Sequence, residues 1–209
     1  EIPVILPEQG ESFLFTQTDE IMKSHSIKRL RALSENPLML VNLQNLQEAY
    51  DLVVKELEQL GFYDDRVYEI DVYLVPAGFA LGWQHYGGDR SICIPSVSLD
   101  RLPSELPDVV RHEYAHAVAD THRGLFRSRR FSTVFGGSHE SKLSTPYDPT
   151  RHVTAYAATK PSEDFAEVFY LYLKNGGKLP CCYSSTPIRA KWRFIRELSR
   201  AIRHGRRRW

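Results

Sequence analysis

The sequence predicts an α+β domain, and three observations carry that prediction. Apolar residues recur at helical spacing over 42–60, apolar and polar residues alternate over 67–75, and helical segments around 109–120, 161–169 and 188–202 fill the later half. The expected architecture is a twisted mixed sheet backed by the helix that carries His112. A mostly helical C-terminal half would bring Glu163 to the same place.

Residues 1–40 are the least patterned. Ser12 to Thr18 suits a strand and Thr18 to Leu33 a helix, read as an N-terminal extension that is either a structural subdomain or a latency segment. Leu43, Leu46, Ala49, Tyr50, Val53, Leu57 and Leu60 then mark a helix that stops at Gly61. From Val67 to Val75, Tyr68, Ile70, Val72 and Leu74 alternate with Val67, Glu69, Asp71 and Tyr73, which predicts a half-buried strand. A glycine-rich turn over Gly78 to Gly88 leads into Ser91-Ile92-Cys93-Ile94-Pro95, where the closing proline predicts a sheet edge. Between Gly124 and His152 the chain is polar and aperiodic, which predicts a long rim loop. Pro161 opens a further helix, with proline in its first turn and acids near its positive end.

With 209 residues and 42% hydrophobic side chains the chain can bury one sizeable core, so one domain over 1–209 and a monomer are expected. No apolar run approaches membrane-span length, and the start at Glu1-Ile2-Pro3 suggests an excised, processed or truncated product. Cys93, Cys181 and Cys182 form no disulfide framework and no cysteine zinc site. The compartment stays open, with a secreted or delivered setting preferred to the cytoplasm. The net charge of +1 conceals a division: from Arg189 onward nine Lys or Arg face Glu197 alone, leaving −7 on residues 1–188. Ile188, Trp192, Ile195, Leu198 and Ile202 predict an amphipathic helix with its arginines in water. Arg206-Arg207-Arg208 extend this basic region over 189–209, and a nucleic acid or anionic surface is a secondary partner for it.

The chemistry is concentrated in His112-Glu113-Tyr114-Ala115-His116. At about 100° per residue, His112 and His116 lie roughly 40° apart on one helix and reach a common metal ion. Glu113 stands beside them, where a carboxylate serves as general base to a water and not as a ligand. The apolar neighbours Val109, Val110, Ala115, Ala117 and Val118 mark a buried helix. A catalytic zinc takes a third protein ligand, and two positions compete for it. His122 completes His-Glu-x-x-His-x-x-Ala-x-x-His, but Ala119 lets the helix continue and turns His122 about 240° from His116. Glu163 and Glu167 lie one turn apart, so Glu163 can bind metal while Glu167 accepts a hydrogen bond from the far nitrogen of a ligating histidine. Asp164 beside them reads as a helix-dipole and solubility residue.

The run His112 to Asp120 resembles the active-site helix of thermolysin-like gluzincins, and the later Glu-x-x-x-Glu resembles their glutamate-ligand helix. The 47-residue interval from His116 to Glu163, with Tyr156-Ala157-Ala158-Thr159-Lys160-Pro161-Ser162-Glu163 and on to Glu167, is similar to the anthrax lethal factor type of catalytic domain. The resemblance implies a zincin-like fold, with His112, His116 and Glu163 as zinc ligands and Glu113 as base. It further implies Tyr156 as oxyanion stabiliser, with Glu167 and Asp120 supporting the ligands. It also implies substrate held along an edge strand, here Ile92, Cys93 and Ile94, with Ala80 to Gly82 as a further candidate. The expectation is therefore a zinc (Zn2+) endopeptidase acting on protein or peptide substrates. The alternatives are a metzincin-type peptidase using His122, and an inactive zinc-binding module that recognises a partner through the same groove.

Overall fold

A computed structural model describes residues 37–75, 82–86, 89–95 and 106–209, and the readings made for residues 1–36 lie outside them. The order is α1 (Pro37–Leu60), α2 (Asp65–Tyr68), β1 (Asp71–Val75), β2 (Gly82–Tyr86), β3 (Asp89–Pro95) and α3 (Leu106–Thr121). Then come α4 (Arg123–Phe126), α5 (Arg129–Phe135), a 3-10 turn (Tyr156–Ala158), α6 (Pro161–Lys174) and α7 (Thr186–Arg203).

The expected α+β architecture framed by a twisted mixed sheet is corrected, because the described chain is mostly helical. Its strands are three short segments in the order β1-β3-β2, with β1 parallel and β2 antiparallel to β3. The apolar surface resides instead in α1, α3, α6 and α7, which bury one another.

α1 presents Leu46, Ala49, Val53 and Leu57 to the core and ends where Gly61 takes φ 78°, a left-handed turn that favours glycine. The strand expected from Val67 is half helix. Asp64 caps α2 by accepting from the Val67 amide at 3.1 Å, so Asp65–Tyr68 coil before β1 begins at Asp71. The glycine-rich turn is also corrected within 82–86, which form β2.

β3 is the middle strand among the described residues, not an edge. Ile92 pairs with Val72 on one side and Trp83 on the other, and Cys93 with Tyr73 and Gly82. Ile92 and Ile94 are fully buried. Both sides of Ile92 and Cys93 are taken among the described residues, which leaves no free edge there for the substrate pairing expected of them, while Ile94 is paired only with Leu74. β2 is the strand left at an edge among the described residues.

The rim loop is corrected in its first part. Phe126, Phe131 and Phe135 on α4 and α5 pack with Phe165 and Phe194, with ring centroids from 4.6 to 6.3 Å apart, and Leu125 is buried in the same core. α6 is buried along nearly its whole surface, as expected of a helix enclosed by others. α3 lies on one side of it, and α7 joins it from another. α7 is tied to the end of α1 by Ser199 Oγ donating to the Leu60 carbonyl at 2.5 Å and by Arg203 donating to Gln59 O at 2.9 Å. Free carbonyls at a helix end are thereby satisfied.

Candidate functional site

α3 and α6 meet along the faces that carry His112, His116, Glu163 and Glu167. His112 and His116 follow from one-turn spacing on α3, and their rings stand 5.1 Å apart at 70°. Glu163 lies in the first turn of α6, where the helix dipole favours a carboxylate. Its Oε2 is 3.1 Å from His112 Nε2 and 3.2 Å from His116 Nε2, while the two Nε2 atoms are 3.3 Å apart. Glu163 is 4% exposed, so this convergence is closed to bulk water on the α6 side.

The hydrogen-bond roles follow from chemistry. Glu167 Oε1 lies 2.8 Å from His112 Nδ1 and, as a carboxylate, can only accept, so Nδ1 carries the proton. In the neutral imidazole the Nε2 lone pair then faces Glu163 Oε2, an acceptor against an acceptor. Such a set requires a cation between its members. A proton is one solution. Burial pulls the His112 pKa down, but the hydrogen bonds to Glu163 and Glu167 outweigh it and raise the pKa to about 9. Burial likewise opposes the charge on Glu163, yet His112, His116 and Lys160 hold its carboxyl far below the usual range.

A zinc ion is the other solution, and the residues fit it. The face of a tetrahedron with bonds of about 2.0 Å has edges near 3.3 Å, and the observed triangle has edges of 3.1, 3.2 and 3.3 Å. Two imidazoles and a carboxylate are a common catalytic-zinc donor set, leaving one position open. His112, His116 and Glu163 are the group among the described residues whose atoms could hold a metal.

The surrounding groups hold these three in place. The free Glu163 oxygen, Oε1, receives Lys160 Nζ at 3.0 Å. Glu167 Oε2 accepts from Thr154 Oγ1 at 2.7 Å, and that hydroxyl accepts from the Ala157 amide at 3.1 Å. Thr154 thus links the orienting carboxylate to the 3-10 turn that presents Tyr156. The Tyr156 ring is 5.8 Å from that of His112, and the residue is 53% exposed. Partial burial, together with the charges of Glu163 and Glu113, raises its hydroxyl pKa, so it remains a donor at neutral pH. Glu113, half-buried, has its charge felt by both His112 and Tyr156. Asp120, one turn beyond His116, accepts from Arg123 Nε at 2.6 Å.

His122 lies elsewhere. It is buried with Nδ1 3.0 Å from an Arg66 nitrogen and Nε2 3.5 Å from Asp64 Oδ2. Burial and the Arg66 charge together outweigh Asp64 and lower its pKa to about 4. Asp164 corrects the solubility reading: it is 3% exposed and pairs with buried Lys191 at 2.6 Å. Burial raises its pKa to about 6 despite that partner.

Thr154, Lys160 and His139 were not anticipated. Lys160 had a signal in its three-residue spacing from Glu163 at a helix start. Thr154 and His139 had none, since tertiary packing brings them in. His139 packs edge-on to Phe126 at 5.3 Å and Phe131 at 5.5 Å. Its pKa is lowered to about 4, first by burial and then by the charge of His116. Comparison with known proteins finds no matching family model, no similar curated protein and no similar solved structure.

Proposed function

We propose that this chain is a zinc-dependent endopeptidase with a gluzincin-type ligand set. The observation that carries the reading is the convergence of His112 Nε2, His116 Nε2 and Glu163 Oε2 within 3.3 Å of one another. Two lone pairs and a carboxylate directed at one point are poor company without a cation. When bound, zinc would supply a water whose pKa is lowered toward about 7 and polarisation of a peptide carbonyl.

The remaining work falls to side chains. Glu113, next to His112 but not in the triangle, takes the proton of the attacking water and passes it to the leaving amine. Tyr156, half-exposed at the mouth, donates its hydroxyl to the carbonyl oxygen as negative charge develops there. Glu167 holds His112 in the tautomer that turns Nε2 toward Glu163. The placement of His122 against Asp64 and Arg66 favours Glu163 over a metzincin-type histidine.

The test uses the full chain and a peptide library with zinc present. The wild type should cleave, and Glu113→Gln should bind equal zinc while cleaving about 10² to 10⁴ times more slowly. Equal cleavage by the two proteins would remove the mechanism. Zinc binding by both without cleavage by either would replace the peptidase with a zinc-dependent recognition module.

A further inference from the structure

The arginine face of α7 is a second candidate site, independent of the zinc reading. Arg189, Arg193, Arg196, Arg200 and Arg203 recur at alternating four- and three-residue intervals and are all exposed. Ile188, Trp192, Ile195, Leu198 and Ile202 turn the other way into the core. At 1.5 Å per residue the stripe runs about 21 Å. Among the described residues, no carboxylate pairs with Arg189, Arg193, Arg196 or Arg200.

Beside the stripe, α5 and α7 enclose a groove of about 450 Å³ lined by Arg129, Arg130, Arg193 and Glu197. Arg130 pairs with that glutamate and lies 4.3 Å over the ring of Trp209. The tail is pinned to the body. Trp209 Nε1 donates to Leu125 O at 2.7 Å, and a Cβ on Gly124 would come within 2.2 Å of the Arg207 carbonyl. Arg206, Arg207 and Arg208 are thus held, exposed, next to the groove.

We propose that this face binds the phosphate backbone of a nucleic acid without reading its sequence. Eight of the nine cations from residue 189 on are arginine, whose planar fork matches phosphate oxygens in pairs. One strand of duplex carries a charge about every 3.4 Å, so the stripe faces roughly six phosphates. A membrane is the weaker fit, because the apolar side of α7 is committed to the core and Trp209 is hydrogen-bonded beneath Arg130. An acidic protein is also a weaker fit, because α7 exposes no large apolar side chain and Trp209, 36% exposed beside the groove, is too little to form an interface centre.

The experiment is fluorescence anisotropy of a labelled 30-base-pair duplex of arbitrary sequence titrated with the full chain. Binding at 50 mM salt should weaken roughly 500-fold by 200 mM, the slope for about five phosphate contacts. Arg193→Gln/Arg200→Gln should lower affinity at least about tenfold and flatten the logarithmic salt slope by about two. A second variant, Arg206→Gln/Arg207→Gln/Arg208→Gln, lies outside every helix and should act in the same direction even where changes in α7 disturb folding. The proposal falls if the duplex does not bind at 50 mM salt, or if neither variant changes the slope. It also falls if phosphatidylserine vesicles bind while the duplex does not.

Discussion

Glu163 and Asp164 are neighbours in the first turn of α6, both acidic and both buried, yet they answer to different partners. Asp164 turns toward α7 and meets Lys191, a cation supplied by the chain itself. Glu163 turns toward α3 and meets two imidazole nitrogens, with Lys160 at its other oxygen. The first pair is closed by the protein's own charges, which makes it a matter of folding. The second gathers acceptor atoms that need a cation among them, either a proton on His112 or a metal ion from outside. Burial and residue type do not separate a structural acid from a candidate metal ligand. The chemistry of the facing atoms does.

The sharpest way to break that comparison is to truncate each acid's partnership in turn. Glu163→Ala should remove nearly all zinc from protein incubated with one equivalent and dialysed, read by elemental analysis. His122→Ala should leave zinc content unchanged, and a reversal of the two results would return the third-ligand role to His122. Lys191→Met should leave metal affinity alone and instead destabilise the fold by about 3–5 kcal/mol in denaturant titration, the cost of a buried charge left unpaired. Because burial already pushes the Asp164 pKa up to about 6, the deficit should be smaller at pH 5 than at pH 8. A deficit independent of pH would mean that packing, and not charge, is what Lys191 contributes.

A smaller effect separates the two regions by proton. In the metal-free protein, His112 has its pKa raised from 6.5 to about 9. A raised folded-state value contributes stability that is full below the unfolded pKa and is lost as pH rises through the folded one. Stability of the chelated protein should therefore fall between pH 6.5 and 9, by at most about 3 kcal/mol. His112→Ala should flatten that fall, and zinc uptake below pH 9 should release a proton. An unchanged profile in the variant would show that the triangle is not what holds the proton.

The parts legible in the sequence are those governed by spacing within one element. One-turn spacing puts His112 with His116 and Glu163 with Glu167, and Gly61 and Pro161 mark helix ends because their backbone preferences are local. Contacts between elements were not legible. Alternation over 67–70 suggested a strand, but the Asp64 side chain captured the Val67 amide and coiled the segment first. Pro95 suggested an edge, yet what decides the place of β3 is β1 and β2 arriving on both sides. The polar stretch after Gly124 concealed Phe126, Phe131 and Phe135, whose common destination is a cluster built with Phe165 and Phe194. That α3 and α6 face each other came from resemblance and not from periodicity, and the groups behind the ligands escaped notice for the same reason.

The finest distinction concerns how the triangle is held. Glu167 gives one oxygen to His112 and the other to Thr154, whose hydroxyl also receives the Ala157 amide of the Tyr156 turn. Glu167→Gln keeps the shape but replaces a charged acceptor, and metal affinity should fall about 10- to 100-fold, the usual cost of losing a group behind a ligand. Thr154→Val removes the link to the turn while leaving Glu167 able to hold His112. It should therefore lower kcat more than zinc affinity, and Thr154→Ser should recover most of the loss. If Thr154→Val weakened zinc as much as Glu167→Gln did, the hydroxyl would be serving the histidine alone. Tyr156 would then be positioned by its own turn, not by the metal's supporting network.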